Sequence, residues 1–281
     1  MKLLRYGPPG AEKPGLLGPD GAIRDLSKIV RDIDGEAVSP ETLQRLAAQD
    51  PASLPLVSGA PRIGPCVARP LNYVCIGLNY ADHAAEAGQP IPSEPIIFLK
   101  SLSAYSGPND DVRIPRGAKK LDWEVELGIV IGKLARAVPD HDWHQYVAGY
   151  CVCNDVSERE YQIERGGTWD KGKGCDTFGP TGPWLVTTDE IPDPQNLHMW
   201  LDVDGVRMQD GNTKTMIFDA GQLVSYVSHF ITLYPGDVIS TGTPPGVGMG
   251  KKPHPIFLKA GQTMRLGIDG LGEQTQRVVE S

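Results

Sequence analysis

The chain has 281 residues, with 35 acidic against 27 basic side chains and a formal net charge of −8. No Lys/Arg cluster stands out, which excludes nucleic acid and anionic membrane as main partners and points to a small molecule instead. No stretch approaches the ~18 apolar residues of a membrane span, and MKLLRYGPPGAEKP breaks at Gly7-Pro8-Pro9 before an apolar leader could form, so a cytoplasmic protein is expected. The five cysteines, Cys66, Cys75, Cys151, Cys153 and Cys175, are odd in number and contain no C-x-x-C pair. They read as buried reduced thiols rather than a disulfide frame or a zinc site. Abundant Gly (33) and Pro (25) among short apolar runs indicate a β-rich α+β fold with many turns.

In chain order, residues 1–65 read as a small N-terminal α+β unit. MKLLRY is a short strand and Pro19-Asp20-Gly21 a turn. A helix runs from Pro40 to about Gln49, with Ser39 as N-cap and Pro40 at the first helical position. Residues 51–71 hold five prolines and form a connecting segment with one short strand. The second unit, 66–281, opens with the buried strand Tyr73-Val74-Cys75-Ile76-Gly77. Tyr80 to Ala87 then has good helix formers, with Gly88 as its stop. Strands follow at Pro95 to Leu99, around Glu124, at Ala148 to Asn154 and at Pro183 to Thr187. Asp204-Gly205 signals a tight hairpin, and Phe218 to Leu233 has helical spacing with Asp219 as N-cap. A strand in YPGDVIST, the loop GTPPGVGMGKK and closing strands in IFLKAGQTMRLGI end the chain.

The stretch with most chemical content is LDWEVELGIVIGK, Leu121 to Lys133. On a strand of period two Glu124 and Glu126 project from one face, and burying both without a counter-charge would be costly. Asp155, at the end of GYCVCN, is placed to join them. Three carboxylates suit a hard ion, Mg2+ first, with Mn2+ and Ca2+ also compatible; spacing alone leaves an exposed or salt-bridged acidic face as the other reading. His83 and Glu86 stand three apart on one helical face, close enough for the carboxylate to orient the imidazole, or to be a solvated pair. Asn154 to Gly182 has the composition of a binding loop. In it Lys173 lies between Gly172 and Gly174, and a helical turn would put Asp155, Arg159 and Gln162 on one side. In the loop 242–250, Thr243 and backbone amides are available to a small anion, but Gly250-Lys251 lacks the rest of a P-loop. No G-x-S-x-G, H-E-x-x-H or Rossmann fingerprint is present.

Taken in order, GLNYADHAAE, DWEVELGIVIGK, NDVSERE-x-Q, TWDKGKGCDTFGPTGPW and DVISTGTPPGVG resemble the fumarylacetoacetate hydrolase family over about residues 70–270. RGGTWDKGKGCDTFGP and STGTPPGVGMG look most like the branch of 2,4-diketo-3-deoxy-sugar-acid (fuconate) hydrolases, also labelled ureidoglycolate lyases. The resemblance implies a mixed β-sandwich roll with a small N-terminal domain, a homodimer and a divalent metal. It makes Glu124, Glu126 and Asp155 the metal ligands and His83 with Glu86 a water-activating dyad on a mobile helix. Lys173 matches the family's active-site lysine, Arg159 and Gln162 match polar groups lining the site, and Thr243 matches the threonine of a Gly-Thr loop. The larger members carry a further aspartate ligand upstream of the dyad; Ile76 and its neighbours offer none. The implied reaction is hydrolysis of the carbon–carbon bond of a 2,4-dioxo acid with release of pyruvate. Decarboxylation or isomerisation of a 2-oxo diacid and a ureidoglycolate lyase-type activity are the alternatives, and a catalytically silent metal-binding scaffold is the reading from another class.

Overall fold

Residues 125–131, VELGIVI, are apolar on both faces except at Glu126, as expected of a central strand covered from two sides. In the computed structural model, which describes residues 1–86 and 88–281, Val125–Ile131 is indeed central. It pairs antiparallel with Val147–Asn154 on one side and with Val238–Ser240 on the other. The sheet continues outward through Gly179–Thr187, Lys2–Tyr6, Lys13–Leu17 and Ile23–Asp25 in one direction, and through Tyr73–Gly77 and Ile96–Leu99 in the other. Val238–Ser240 and Tyr73–Gly77 run parallel, so the sheet is mixed. A second, five-stranded sheet is ordered Val206–Asn212, His198–Val203, Thr263–Ile268, Gly272–Glu280 and Val112–Ile114. This strand-rich α+β architecture matches the expected fold class.

Alternation along the central strand divides the core. Val125, Leu127, Ile129 and Ile131 pack into a large cluster with Met199, Leu201, Met264 and Leu266 of the second sheet. Val130 points the other way, into a smaller cluster that combines Leu3, Leu16 and Leu46 of the N-terminal segment with Cys66, Cys75, Cys151 and Cys153. Gly128 lies on that second face because a Cβ there would come within 2.7 Å of both the Cys151 and Cys153 sulfurs. Glu124 and Glu126 share this face, at the end of the strand where the smaller cluster stops. All five cysteines are free, and Cys175 alone is partly exposed.

Several local expectations are met by visible causes. The helix Pro40–Ala47 has Ser39 as its cap, and Ala220–Phe230 is closed by a capping box between Asp219 and Gln222. Asp204 and Gly205 have φ of 50° and 78°, as a type I′ hairpin turn requires. The short helix is Ala81–Glu86; Ala87, included in the expected span, lies outside the described residues. Two expectations fail. The segment 51–71 forms isolated bridges, Arg24 with Leu56 and Tyr6 with Ile63, rather than a strand. No helical turn links Asp155 to Arg159. Instead Ser157–Glu158 pairs with Leu121–Asp122, and Arg159 caps the five-residue π-turn Glu160–Glu164. The residues still meet because the ladder, not a helix, sets their spacing. Among the described residues no helix is long and apolar enough to cross a membrane.

Candidate active site

The expected site residues are far apart in sequence, and strand register brings them together. The pair Asn154↔Val125 is followed by a bond from the Asp155 amide to the Glu124 carbonyl, which sets Asp155 beside Glu124. The Asn154 side chain receives the Glu124 amide at 3.2 Å. Glu126, two residues on, accepts from the Ser240 hydroxyl at 2.6 Å and the Gly242 amide at 2.9 Å. The result is a floor in which one carboxylate oxygen from each of Glu124, Glu126 and Asp155 lies within 4.8 Å of the other two.

Lys173 belongs to this floor and not to an exposed loop. The turn Asp170–Lys173 packs so closely on Glu158 and Gln162 that a Cβ at Gly172 would sit 2.5 Å from atoms of both. That contact explains the glycine before the lysine. Lys173 is 2 % exposed, and its ammonium bonds Glu124 Oε2 at 2.6 Å and Asp155 Oδ2 at 2.7 Å. Arg159 brings Nη2 to 2.6 Å from Glu124 Oε1 and donates Nη1 to Gln162 Oε1 at 3.0 Å.

The pattern missed two charged members. Lys100, directly after the strand Ile96–Leu99, is buried with Nζ 2.6 Å from Asp155 Oδ1. It donates to the carbonyls of Val156 and Lys173, and its approach to Asp155 is out of line, so Asp155 Oδ1 accepts no hydrogen bond. Nothing in the sequence around Lys100 marks it. Asp122, fully buried and bonded to Arg159 Nε at 2.8 Å, did carry a signal, because it continues the same period as Glu124 and Glu126.

The floor thus holds four carboxylates, Asp122, Glu124, Glu126 and Asp155, against three cations, Lys100, Arg159 and Lys173. The electrostatics follow this imbalance. Burial opposes ionisation of Glu124, yet the neighbouring Lys173 and Arg159 charges outweigh it and hold its carboxyl down at about 2. Burial pushes the Glu126 carboxyl well above the ordinary range, and Asp155 and Glu124 push it further. Lys173 is raised above its ordinary value because Asp155 and Glu124 more than offset its burial. A hard divalent cation fits this set. The converging donors are all carboxylate oxygens, Asp155 Oδ1 is buried without a hydrogen-bond donor, and the floor is one positive charge short.

Across from the floor, His83 Nδ1 lies 3.1 Å from Glu86 Oε2. The Gly246 amide reaches both oxygens of Glu86, at 3.0 and 3.1 Å. Burial raises the Glu86 carboxyl, but the bonds from His83 and Gly246 prevail and leave it below its ordinary value. A Cβ at Gly250 would meet Glu86 Cδ at 2.8 Å, so the glycine segment lies tight against this carboxylate. His83, Glu86, Glu124, Glu126, Asp155, Arg159, Gln162, Lys173 and Thr243 all line one cavity of about 500 Å³, whose lining also includes Phe98, Trp169, Val247 and Met249. Thr243 is less available than expected: its hydroxyl donates to the Val125 carbonyl and accepts from Gln209.

Known proteins place this arrangement. A Burkholderia ambifaria protein with a provisional hydrolase name is 67% identical over 276 residues, covering 98% of each chain. The structure of a maleylpyruvate hydrolase from Sphingobium sp. SYK-6, in complex with manganese(II) ion and pyruvate, superimposes with a TM-score of 0.83 at 29% identity over 100% of both chains. A 2-hydroxyhepta-2,4-diene-1,7-dioate isomerase from Mycobacterium marinum gives 0.75 at 32% identity, over 100% of this chain and 99% of that one. Residues 72–279 match the fumarylacetoacetate (FAA) hydrolase C-terminal family, and the chain belongs to the fumarylacetoacetate hydrolase family.

Proposed function

We propose that the protein is an enzyme that hydrolyses the carbon–carbon bond of a 2,4-dioxo acid, releasing pyruvate and a second acid, with a divalent metal held by Glu124, Glu126 and Asp155. The observation that carries this reading is the convergence of three buried carboxylates and the His83–Glu86 pair on one cavity. Mg2+ is the first choice because the donors are all oxygen and water fills the remaining positions. When bound, the ion supplies positive charge opposite the 1-carboxylate and 2-oxo oxygens of the substrate.

The chain's own residues supply the rest. Glu86 anchors His83 through Nδ1, leaving Nε2 to take a proton from a water that adds to the carbonyl at carbon 4. The bond between carbons 3 and 4 then breaks, its electron pair passes to carbon 3 as the enolate of pyruvate, and carbon 3 takes up a proton. The fragment that begins at carbon 4 leaves as the second acid, with carbon 4 as its carboxylate carbon. Lys173 and Arg159 keep Glu124 ionised, and Lys173 offers a donor toward developing negative charge. Phe98 and Trp169, stacked edge-on at 5.4 Å, form an apolar wall that restricts water.

A panel of 2,4-dioxo acids, including 3-deoxy sugar-acid derivatives, incubated with Mg2+ or Mn2+ and assayed for pyruvate tests the reading. Release that stops with EDTA and resumes on metal addition is expected; turnover indifferent to EDTA sinks it. The similarity to a dioate isomerase favours a second reading, isomerisation of a 2-oxo diacid at the same floor. It would show as a spectral change with no change of substrate mass and no pyruvate.

A further inference from the structure

The first half of the D-W-E-V-E run does something the floor alone does not explain. Asp122 is fully buried and collects four donors. Oδ1 accepts the amides of Trp123 at 2.8 Å and Gly248 at 2.6 Å; Oδ2 accepts the amide of Met249 at 2.9 Å and Arg159 Nε at 2.8 Å. Trp123, equally buried, donates its indole N–H to the Gly246 carbonyl at 3.1 Å. The glycine segment 246–250 is therefore held at Gly246, Gly248 and Met249 by the dipeptide that immediately precedes Glu124. The opposite side of the segment touches the dyad, through the Gly246 amide on Glu86 and the close approach of Gly250.

Two connections join this grip to the floor. One is covalent, since Glu124 follows Trp123. The other is electrostatic: Arg159 divides its guanidinium between Asp122, through Nε, and Glu124, through Nη2. In a buried network each charged hydrogen bond depends on its neighbours. A cation at Glu124 would compete with Arg159 for that carboxylate, and so would alter the contact of Arg159 with Asp122, which also holds the Gly248 and Met249 amides.

We infer that Asp122 and Trp123 act as positioning residues through which occupancy of the carboxylate floor sets the seating of the 246–250 segment, and with it the His83–Glu86 pair. The inference rests on the proposed function for a metal at the floor as well as for turnover, and calorimetry of Mn2+ binding separates failure of that site from failure of the grip. Asp237 supplies the comparison. It too is fully buried and accepts four donors, from the Leu71, Asn72 and Tyr234 amides and the Asn72 side chain, but none of these is a cation and none borders the cavity.

Hydrogen exchange at amides 246–249 of the full-length protein, with Mn2+ and pyruvate added or withheld, is the test. In the wild type the additions are expected to slow exchange about tenfold. In Asp122→Asn the slowing is lost while Mn2+ affinity stays within about threefold of wild type, and kcat falls ~10–100-fold with KM little changed, as for other outer partners of metal ligands. Asp237→Asn lowers thermal stability but keeps both the slowing and kcat. Trp123→Phe removes one donor and reads the grip in a smaller degree should Asp122→Asn fail to fold. With Mn2+ binding to the wild type established by calorimetry, the inference is overturned if the wild type shows no slowing, if Asp122→Asn retains it, or if Asp237→Asn loses it. If no dioxo acid yields pyruvate, the proposed activity falls while the exchange comparison still decides the grip.

Discussion

The two walls of the cavity are built on opposite plans. The floor is set on and around the ends of paired strands, and its acidic and basic side chains are almost completely buried. Each charge except that of Glu126 has an opposite charge within 2.8 Å. The facing wall is a six-residue helix, Ala81–Glu86, on which one imidazole–carboxylate contact is backed by a single glycine amide. Its Glu86 side chain remains 22% exposed. A strand floor holds charge at fixed separation at the cost of desolvation. A short helix with a partly exposed carboxylate suits the proton acceptor of the proposed reaction, a group that would meet water and substrate in turn.

If that division is right, damage to the floor should cost most. Glu126→Gln removes a metal-facing charge and is expected to lower kcat/KM by ~10³-fold or more, with loss of Mg2+ affinity in calorimetry. Full activity in this variant would end the comparison. His83→Gln should lower kcat by ~10²-fold and leave metal affinity as it was, because only the facing wall is altered; a parallel loss of metal binding would show that the walls are not separate. Gly250→Ala probes the contact between them. Its Cβ would press on Glu86 Cδ, and a kcat reduced about tenfold, with KM nearly constant, is the result that fits displacement of the dyad.

The same contrast explains what could be read from the sequence. Strand position follows from local alternation, so Glu124, Glu126 and the hairpin at Asp204-Gly205 were visible as residues. Asp122 was equally visible in principle, since it shares their period. Lys100 was not: a lysine after a buried strand has no pattern, and only the approach of Asp155, 55 positions away, gives it an anion. The spacing of Asp155, Arg159 and Gln162 suggested one helical turn but arises from a two-residue ladder and a π-turn, because the pairing of Ser157–Glu158 overrides local helical preference. The motif order did resolve the family, and all nine residues it named line the cavity. What local pattern could not convey was the charge balance, because the cations come from separate elements.

That balance allows the finest test. Without metal, Glu126 is the carboxylate with no cationic partner, and its folded carboxyl is raised above the ordinary 4.5. Such a group binds more protons in the folded than in the unfolded state, so its penalty is absent below pH 4.5 and grows as pH rises toward the folded value. Glu126→Gln removes this penalty. In metal-free protein it should therefore be more stable than wild type at neutral pH, by about 1 kcal/mol or ~2–4 °C in Tm, with the difference closing below about pH 4.5. Saturating Mg2+ should reverse the order, since only the wild type gains from binding. Thermal melts across pH, with and without Mg2+, check both signs. A Glu126→Gln protein that is less stable without metal would mean that Ser240 and Gly242 hold the ionised carboxylate well enough to need no cation.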